Sequence, residues 1–316
     1  MRALALLLIS AVFPVSSAFG WGCEGHQMIA LIARAHLTAA AAAAVDTLLR
    51  QNPIASNINV FCKDAPDDLM AQSADWADDV RNMENNGEQH YIDIPLAVAA
   101  DAANSTEVMQ WCKPVNGKPG CVLSAIDFNE AILIDPVYTP AQRTRALRYL
   151  IHFVGDLAQP LHSTDNHDRG GNCTAMHFPR EEKLDNLHTI WDTRIIAKDL
   201  ADRGLTRPQY AATIDRDFAG HWPEWGTAKP DALAWAWQSH ALALSTTYGK
   251  LQPGIPVAPA SAGIADPAAC DAGKSAVEAE HISIGDDYLK AAVPAIREQL
   301  ARAGYELAGL LNQTLK

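Results

Sequence analysis

One stretch of the sequence, residues 148–162, constrains the fold more than any other. It predicts a helix carrying His152 and Asp156, which stand four residues apart and therefore share one helical face. Apolar residues surround this pair, and burying a carboxylate without a cation or donors is costly, so a ligand role is favoured over an ordinary ion pair. The same spacing recurs at His188 and Asp192. Two helices with such faces can hold metal between them.

Two further donors lie close to helical segments. His162 follows Pro160, which ends or kinks the first helix and can send this imidazole back over its open end. Asp78 belongs to a group of acidic residues that would ordinarily be a solvated helix face. We select Asp78 because Trp76 marks the buried side of that helix.

The segment 87–95 alternates polar and apolar residues, and we predict that it is extended. In such a segment His90 and Ile92 face one way, whereas Tyr91 and Asp93 face the other. A lone histidine here is more often a partly buried residue with a satisfied partner. We therefore count His90 as a candidate ligand only because other candidate metal ligands occur in the same chain.

Residues 1–20 have the features of a signal peptide, with Arg2, an apolar run and small residues before Trp21. The run is short and Pro14 interrupts it, so it does not predict a membrane-spanning helix of the mature protein. Cleavage before Trp21 would free an α-amine and a carbonyl oxygen close to His26, and both can bind metal. We expect a secreted or periplasmic protein without a membrane anchor.

The composition sets further limits. With 316 residues and 48% hydrophobic residues, the chain can form a large core. Its net charge of −12 becomes −13 once the signal peptide, with Arg2 as its only charged side chain, is removed. An acidic protein does not bind nucleic acid or anionic membranes through its overall charge. A metal-lined cleft can still accept such a substrate, because bound cations supply local positive charge.

Six cysteines, an even number, fit an oxidising compartment. Cys112 and Cys121 enclose a short Pro- and Gly-rich loop, and we predict that they form a disulfide. The remaining four allow three connectivities, of which Cys23–Cys62 with Cys173–Cys270 is favoured. The spacings lack a Cys-x-x-Cys pattern, which argues against a thiolate zinc site.

Periodicity predicts a mainly helical chain. The predicted helices cover residues 27–50, 67–81, 122–133, 139–158, 185–198, 208–220, 232–251 and 276–315, and a long surface excursion covers 252–273.

The donors that we select are all nitrogen or oxygen, which suits zinc in a hydrolytic site. They are Trp21, His26, Asp78, His90, His152, Asp156, His162, His188 and Asp192. At about three protein ligands per catalytic zinc, this set would serve about three ions, with one carboxylate bridging two of them. Paired ions suit phosphoester hydrolysis. The sequence has no Gly-x-Ser-x-Gly, Walker A or dinucleotide-binding motif.

These motifs together resemble the S1/P1 nuclease family of the phospholipase C/P1 nuclease superfamily. The resemblance rests on motifs that follow one order along the mature chain: Trp21 with Gly25-His26, Trp76-Ala-Asp78 with Arg81, His90-Tyr-Ile-Asp93, His152 to Asp156 with Gln159-Pro-Leu-His162, Asp185 to His188 with Trp191-Asp192, and Gly304 to Ala308.

The resemblance implies a mainly helical, single-domain enzyme over residues 21–316 that binds three zinc ions. In the family pattern, one ion is held by Asp78, His90, His152 and Asp156, the second by Trp21, His26 and Asp156, and the third by His162, His188 and Asp192. Asp78 would orient the attacking water and Arg81 would stabilise the phosphate charge. Tyr91, Asp93, Gly171 and Asn172 fall on positions that bind a base.

The implied activity is endonucleolytic cleavage of single-stranded DNA and RNA to 5′-phosphorylated products, together with 3′-nucleotidase activity, by a protein that we expect to be monomeric. The cysteine pattern and the 252–273 excursion differ from fungal members, and they indicate a bacterial-type member. The nearest alternative is a zinc phospholipase C of the same superfamily. A zinc-storage protein is the alternative outside enzymes, but the low-complexity His tracts typical of such proteins do not occur.

Overall fold

The computed structural model describes residues 21–100, 105–182, 184–251, 254–265, 270 and 283–316. Within these residues the chain is mostly helical with one two-stranded antiparallel sheet, which confirms the predicted mainly-α fold class. The helices are α1 (Cys23–Ala35), α2 (Ala39–Gln51), α3 (Leu69–Ser73), α4 (Trp76–Glu84), α5 (Ser105–Val108), α6 (Val122–Ile134), α7 (Pro140–Ala158), α8 (Leu187–Thr189), α9 (Ile195–Arg203), α10 (Arg207–Phe218), α11 (Trp222–Trp225), α12 (Ala232–Leu242) and α13 (Asp286–Thr314), and the strands are β1 (Ala175–His177) and β2 (Leu184–Asn186).

The core is built where α13 packs against α1, α7 and α10. The crossing of α13 and α1 is close, because a Cβ at Gly304 would lie 2.5 Å from Ile32 Cγ2. Helix α7 also packs along α6 and contacts α1. These contacts place the N-terminal helix beside the helix that carries the first predicted metal-binding face.

Helix α7 agrees closely with its prediction. Thr139 caps it, with the side-chain oxygen accepting a hydrogen bond from Gln142 N at 3.3 Å, and Pro140 occupies the first turn. The helix ends before Pro160, and a 3₁₀ turn, Pro160–His162, follows. His162 therefore returns toward the open end of α7, as expected.

The prediction of one helix over 27–50 was wrong. The chain forms α1 and α2 instead, and Thr38 starts the second helix by accepting a hydrogen bond from Ala41 N at 3.2 Å. The prediction over 67–81 was likewise too long. Asp68 caps α3 through Met70 N and Ala71 N, both at 2.9 Å, and α4 begins anew at Trp76.

The helix predicted over 185–198 divides into β2, α8, a π-helical segment Ile190–Arg194 and α9. Asn186 starts it, since its side chain accepts a hydrogen bond from Thr189 N at 2.7 Å. Of the helix predicted over 232–251, the α-helical part ends at Leu242, and a second π-helical segment, Ala243–Thr247, follows it directly.

Residues 276–282 of the last predicted helix lie outside the described residues, and α13 begins at Asp286. Parts of the 252–273 excursion also lie outside them. Among the helices that the structure describes, none combines the length and the apolar character needed to cross a membrane.

Three disulfides join the described cysteines. The predicted Cys112–Cys121 pair is confirmed, and the favoured connectivity of the other four, Cys23–Cys62 with Cys173–Cys270, is present too.

Candidate metal centre

The face of α7 presents His152 and Asp156 side by side. His152 Nε2 lies 3.1 Å from Asp156 Oδ2, and both side chains are fully buried. The other ring nitrogen of His152, Nδ1, lies 2.7 Å from the carbonyl oxygen of Ala74 and donates to it in the matching tautomer. This hydrogen bond fixes the ring and directs Nε2 toward the carboxylate.

His26 reaches the same carboxylate from α1. Its Nε2 lies 3.3 Å from Asp156 Oδ1, and its ring stacks on His152 with centroids 4.0 Å apart. Gly155 makes this approach possible, because a Cβ there would lie 2.8 Å from His26 Nδ1. The two oxygens of Asp156 thus face different imidazoles, His26 on one side and His152 on the other.

Asp78 and His90 complete this group. His90 Nδ1 lies 3.0 Å from Asp156 Oδ2 and 3.5 Å from Asp78 Oδ1, while His152 Nε2 lies 3.7 Å from Asp78 Oδ2. His90 ends a 3₁₀ turn, Gly87–His90, so that part of the predicted extended segment was wrong. The predicted alternation of faces beyond it is confirmed: His90 and Ile92 are buried, whereas Tyr91 and Asp93 are only half-buried.

A second group forms where the turn after α7 meets the segment that follows β2. His162 Nε2 lies 3.1 Å from His188 Nε2, which is 3.2 Å from Asp192 Oδ2. Gln159 donates a hydrogen bond to the other oxygen of Asp192 at 2.5 Å. The predicted partnership of His188 and Asp192 therefore holds, although Asp192 lies in a π-helical segment.

The remaining nitrogens of this group contact backbone carbonyls. His162 Nδ1 lies 2.7 Å from His90 O, and His188 Nδ1 lies 2.5 Å from Gly170 O. Each contact orients one imidazole and leaves its Nε2 facing the group. The first of them also ties the two groups together through the backbone of His90.

Trp21 is fully buried beside these groups. The next residue, Gly22, donates its backbone N–H to Asp192 O at 2.9 Å. Gly25 allows the chain to fold tightly here, since a Cβ there would lie 2.6 Å from Trp21 Cβ. The predicted first residue of the mature chain is thereby brought to the second group.

The donor set fits metal binding. The candidate ligands form three groups of three, and within each group the ligand atoms lie within 4.8 Å of one another. The groups are His26, Asp78 and His152; His90, His152 and Asp156; and His162, His188 and Asp192. Several buried atoms in them have no hydrogen-bond partner among the described residues, including Nε2 of His26 and of His152 and Oδ1 of Asp78 and of Asp156. Buried polar atoms are normally satisfied, so this concentration indicates a site for cations.

The electrostatics of the protein without metal agree with that interpretation. Burial lowers the pKa of His26 to about 4 and that of His90 to about 3, which keeps both imidazoles neutral. Burial raises the pKa of Asp78 to about 7. Burial would lower the pKa of His152, but the carboxylates of Asp156 and Asp78 outweigh it and raise this pKa to about 10. A cation among these groups would replace the proton that His152 otherwise holds.

A cavity of about 360 Å³ is lined by Tyr91 and Asp93. Burial, with Asp165 and Glu88 nearby, raises the pKa of Asp93 to about 7. Sequence reasoning missed three residues that line the same cavity, Trp111, Lys113 and Asp165. Two signals could have found them: Asp165 lies three residues after His162, and the Asn116-Gly117 turn near Lys113 is typical of a hairpin.

Gly171 and Asn172 lie elsewhere. Gly171 sits against the backbone of His188, where a Cβ would lie 3.2 Å from His188 N, and neither residue lines the cavity. Asn172 Nδ2 donates to Arg169 O at 2.8 Å. Contact between these two residues and a base stays a prediction. Arg81 lies on α4 one turn beyond Asp78, as the sequence predicts.

Comparison with known proteins agrees with the geometry. The family model described as S1/P1 Nuclease matches residues 21–316. Endonuclease 2 of Arabidopsis thaliana is 29% identical over 318 residues, which cover 98% of this chain and 96% of that protein. Nuclease P1 of Penicillium citrinum is 26% identical, with 93% of this chain and 97% of that protein covered. Nuclease S1 of Aspergillus oryzae is 25% identical, with 95% and 96% covered.

Proposed function

Because the chain belongs to the S1/P1 nuclease family, we propose that it is a zinc-dependent endonuclease that cleaves single-stranded DNA and RNA to 5′-phosphorylated products and also hydrolyses 3′-nucleotides. The observation that carries this proposal is the position of Asp156. Its two carboxylate oxygens face separate sets of histidines in a fully buried cluster.

We assign the candidate ligands to three zinc sites. The first would be held by Asp78, His90, His152 and Asp156, the second by the freed amine and carbonyl oxygen of Trp21, by His26 and by Asp156, and the third by His162, His188 and Asp192. When bound, zinc lowers the pKa of water and neutralises the negative charge of the phosphate. Asp156 would belong to two sites at once.

The chain's own groups would then position the substrate. Asp78 accepts a hydrogen bond from the attacking water, and Arg81 donates to a non-bridging phosphate oxygen. The water oxygen joins phosphorus while the bond from phosphorus to the 3′ oxygen breaks. The attacking water gives up one proton and the 3′ oxygen takes up one from solvent, so the 3′ oxygen leaves as a hydroxyl and the phosphate stays on the 5′ side. Tyr91 stacks on a base and Asp93 hydrogen-bonds its edge, which favours an unpaired strand.

The proposal includes the location of the enzyme. Residues 1–20 act as a signal peptide, and cleavage before Trp21 releases a secreted or periplasmic monomer that comprises residues 21–316. The three disulfides support this, because disulfides persist in oxidising compartments. The amine that joins the second zinc site would arise only from this cleavage.

The decisive experiment combines metal analysis with substrate comparison on the processed protein. We expect three zinc ions per chain and hydrolysis of single-stranded DNA, RNA and 3′-AMP, all abolished by chelator and restored by zinc. Zinc binding with phosphatidylcholine hydrolysis and no nucleotide release would support a phospholipase instead. Zinc binding without hydrolysis of any of these substrates would indicate a storage protein.

A further inference from the structure

The cavity beside Tyr91 has a second wall that the proposed base contacts do not use. Trp111, Lys113 and Val115 form it, and residues 258–264 contribute further lining. Its volume, about 360 Å³, lies within the range of complete ligand pockets rather than of a slot for one ring. A single base held by Tyr91 and Asp93 would leave this wall uncontacted.

The wall belongs to a rigid hairpin, residues 111–121. The Cys112–Cys121 disulfide closes it, and Val115 and Lys118 exchange two backbone hydrogen bonds of 3.2 and 3.0 Å. Asn116 and Gly117 form its tip with φ angles of 52° and 75°, as a tight hairpin turn requires. Such a loop holds its side chains in place before any ligand arrives.

The hairpin is also fixed to the candidate active site. Immediately after it, Val122 N donates to Tyr91 O at 3.0 Å. Lys118 Nζ donates to Glu84 O at 2.8 Å, at the end of the helix that carries Asp78 and Arg81. One hydrogen bond therefore ties the hairpin region directly to Tyr91, and another ties it to the end of the helix that carries Arg81.

Among the described residues that line this cavity, Lys113 is the one lysine or arginine. The other charged lining residues are the acids Glu88, Asp93 and Asp165, and the ammonium group of Lys113 forms no ion pair or hydrogen bond within the described part of the chain. Because its ammonium group has no partner in the described part of the chain, Lys113 is available to an anionic group of the ligand, and Arg169 adds a second positive charge near Asp93. Trp111 adds a half-buried indole ring to the same wall.

We propose that this hairpin binds the second nucleotide of a single-stranded substrate, with Trp111 stacking on the neighbouring base and Lys113 contacting its phosphate. The inference rests on the proposed nuclease function and extends it, because it makes the hairpin the part of the protein that distinguishes an oligonucleotide from a mononucleotide. Base stacking and phosphate contact are how single strands are held without reading their sequence.

The test compares Lys113→Gln with Lys290→Gln, an exposed lysine on α13 that is paired with Asp287. Each zinc-loaded protein is assayed on 3′-AMP and on a short oligothymidylate, and its binding of a fluorescent oligothymidylate is measured over a range of salt concentrations. Lys113→Gln should weaken oligonucleotide binding several-fold and reduce the salt slope of log affinity by about 0.7, the value for one phosphate contact on a single strand. Hydrolysis of 3′-AMP should be unchanged.

Trp111→Ala should raise KM for the oligonucleotide roughly tenfold, in line with the loss of one stacked base, and Trp111→Phe should restore most of it. Equal salt slopes for Lys113→Gln and Lys290→Gln would overturn the inference, as would equal losses on 3′-AMP and oligonucleotide. If the unmodified protein cleaves neither substrate, the proposed function fails, whereas the binding comparison still decides whether the hairpin holds a strand.

Discussion

Asp156 directs one carboxylate oxygen, Oδ1, toward Nε2 of His26 at 3.3 Å. Its other oxygen lies about equally close to His90 and His152. A carboxylate placed in this way can join two cations, and its removal affects both sites.

The substitution Asp156→Asn should therefore remove two zinc ions together and abolish hydrolysis, because an amide offers one oxygen and no charge. Zinc content by mass spectrometry of the intact protein measures this. Asp192→Asn serves as the matched control and should remove only one ion. Loss of a single ion from Asp156→Asn would contradict the bridging role.

An additional alanine ahead of Trp21 should remove one zinc ion and most of the activity. The extra residue would displace the free amine, and Trp21 is fully buried, so the chain has little room to adjust. Zinc content and 3′-AMP hydrolysis are measured, with an alanine added after Lys316 as the control. Full zinc and full activity in the N-terminal variant would rule out the amine as a ligand.

Tyr91→Ala should raise KM for nucleotides roughly tenfold, since one stacked base is lost. Its zinc content should stay the same, because Tyr91 lines the cavity and is not among the proposed ligands. Tyr91→Phe keeps the ring and should behave like the unmodified enzyme. Equal KM values for the alanine and phenylalanine variants would argue against stacking.

The raised pKa of Asp93 should make the free energy of unfolding depend on pH. Its folded pKa is raised to about 7 from an ordinary value of 3.8, chiefly by burial, so the folded state holds a proton that the unfolded state releases. The contribution of this carboxyl to stability therefore falls as pH rises from about 4 to 7. Asp93→Asn cannot ionise, and its free energy of unfolding relative to the unmodified protein should increase between pH 5 and pH 8, by on the order of 2 kcal/mol.

Urea unfolding at the two pH values measures this difference. Asp202→Asn, at an exposed site on α9, controls for the loss of one carboxylate. A difference between Asp93→Asn and the unmodified protein that is the same at pH 5 and pH 8 would contradict the prediction.

The sequence predicts the metal-binding faces well because their geometry is local. His152 and Asp156 are one helical turn apart, and any helix places them together. The contact between His26 and Asp156 depends on how α1 packs against α7, which no local pattern contains. Only the resemblance to a family linked those two residues beforehand.

Boundaries were predicted less well where a side chain starts a new element inside an apolar stretch. Thr38 stands directly before the run of alanine at 39–44, and the hydrogen bond that its side chain accepts from Ala41 N starts a new helix there. Trp111 and Lys113 were missed for a different reason. They lie in a segment without periodicity, and their position depends on a disulfide and a turn.

Gly155 lowers the intrinsic stability of helix α7 at the end that carries the candidate ligands. Glycine inside a helix is destabilising by roughly 0.5–1 kcal/mol relative to alanine, and it stands here between His152 and Asp156 because the ring of His26 occupies the space of a side chain. A peptide of residues 140–158 alone would therefore begin to fray at the turn that carries the ligands. The helical spacing alone brings His152 and Asp156 together, but the packing of α1 against α7 is what holds this glycine-containing turn in place.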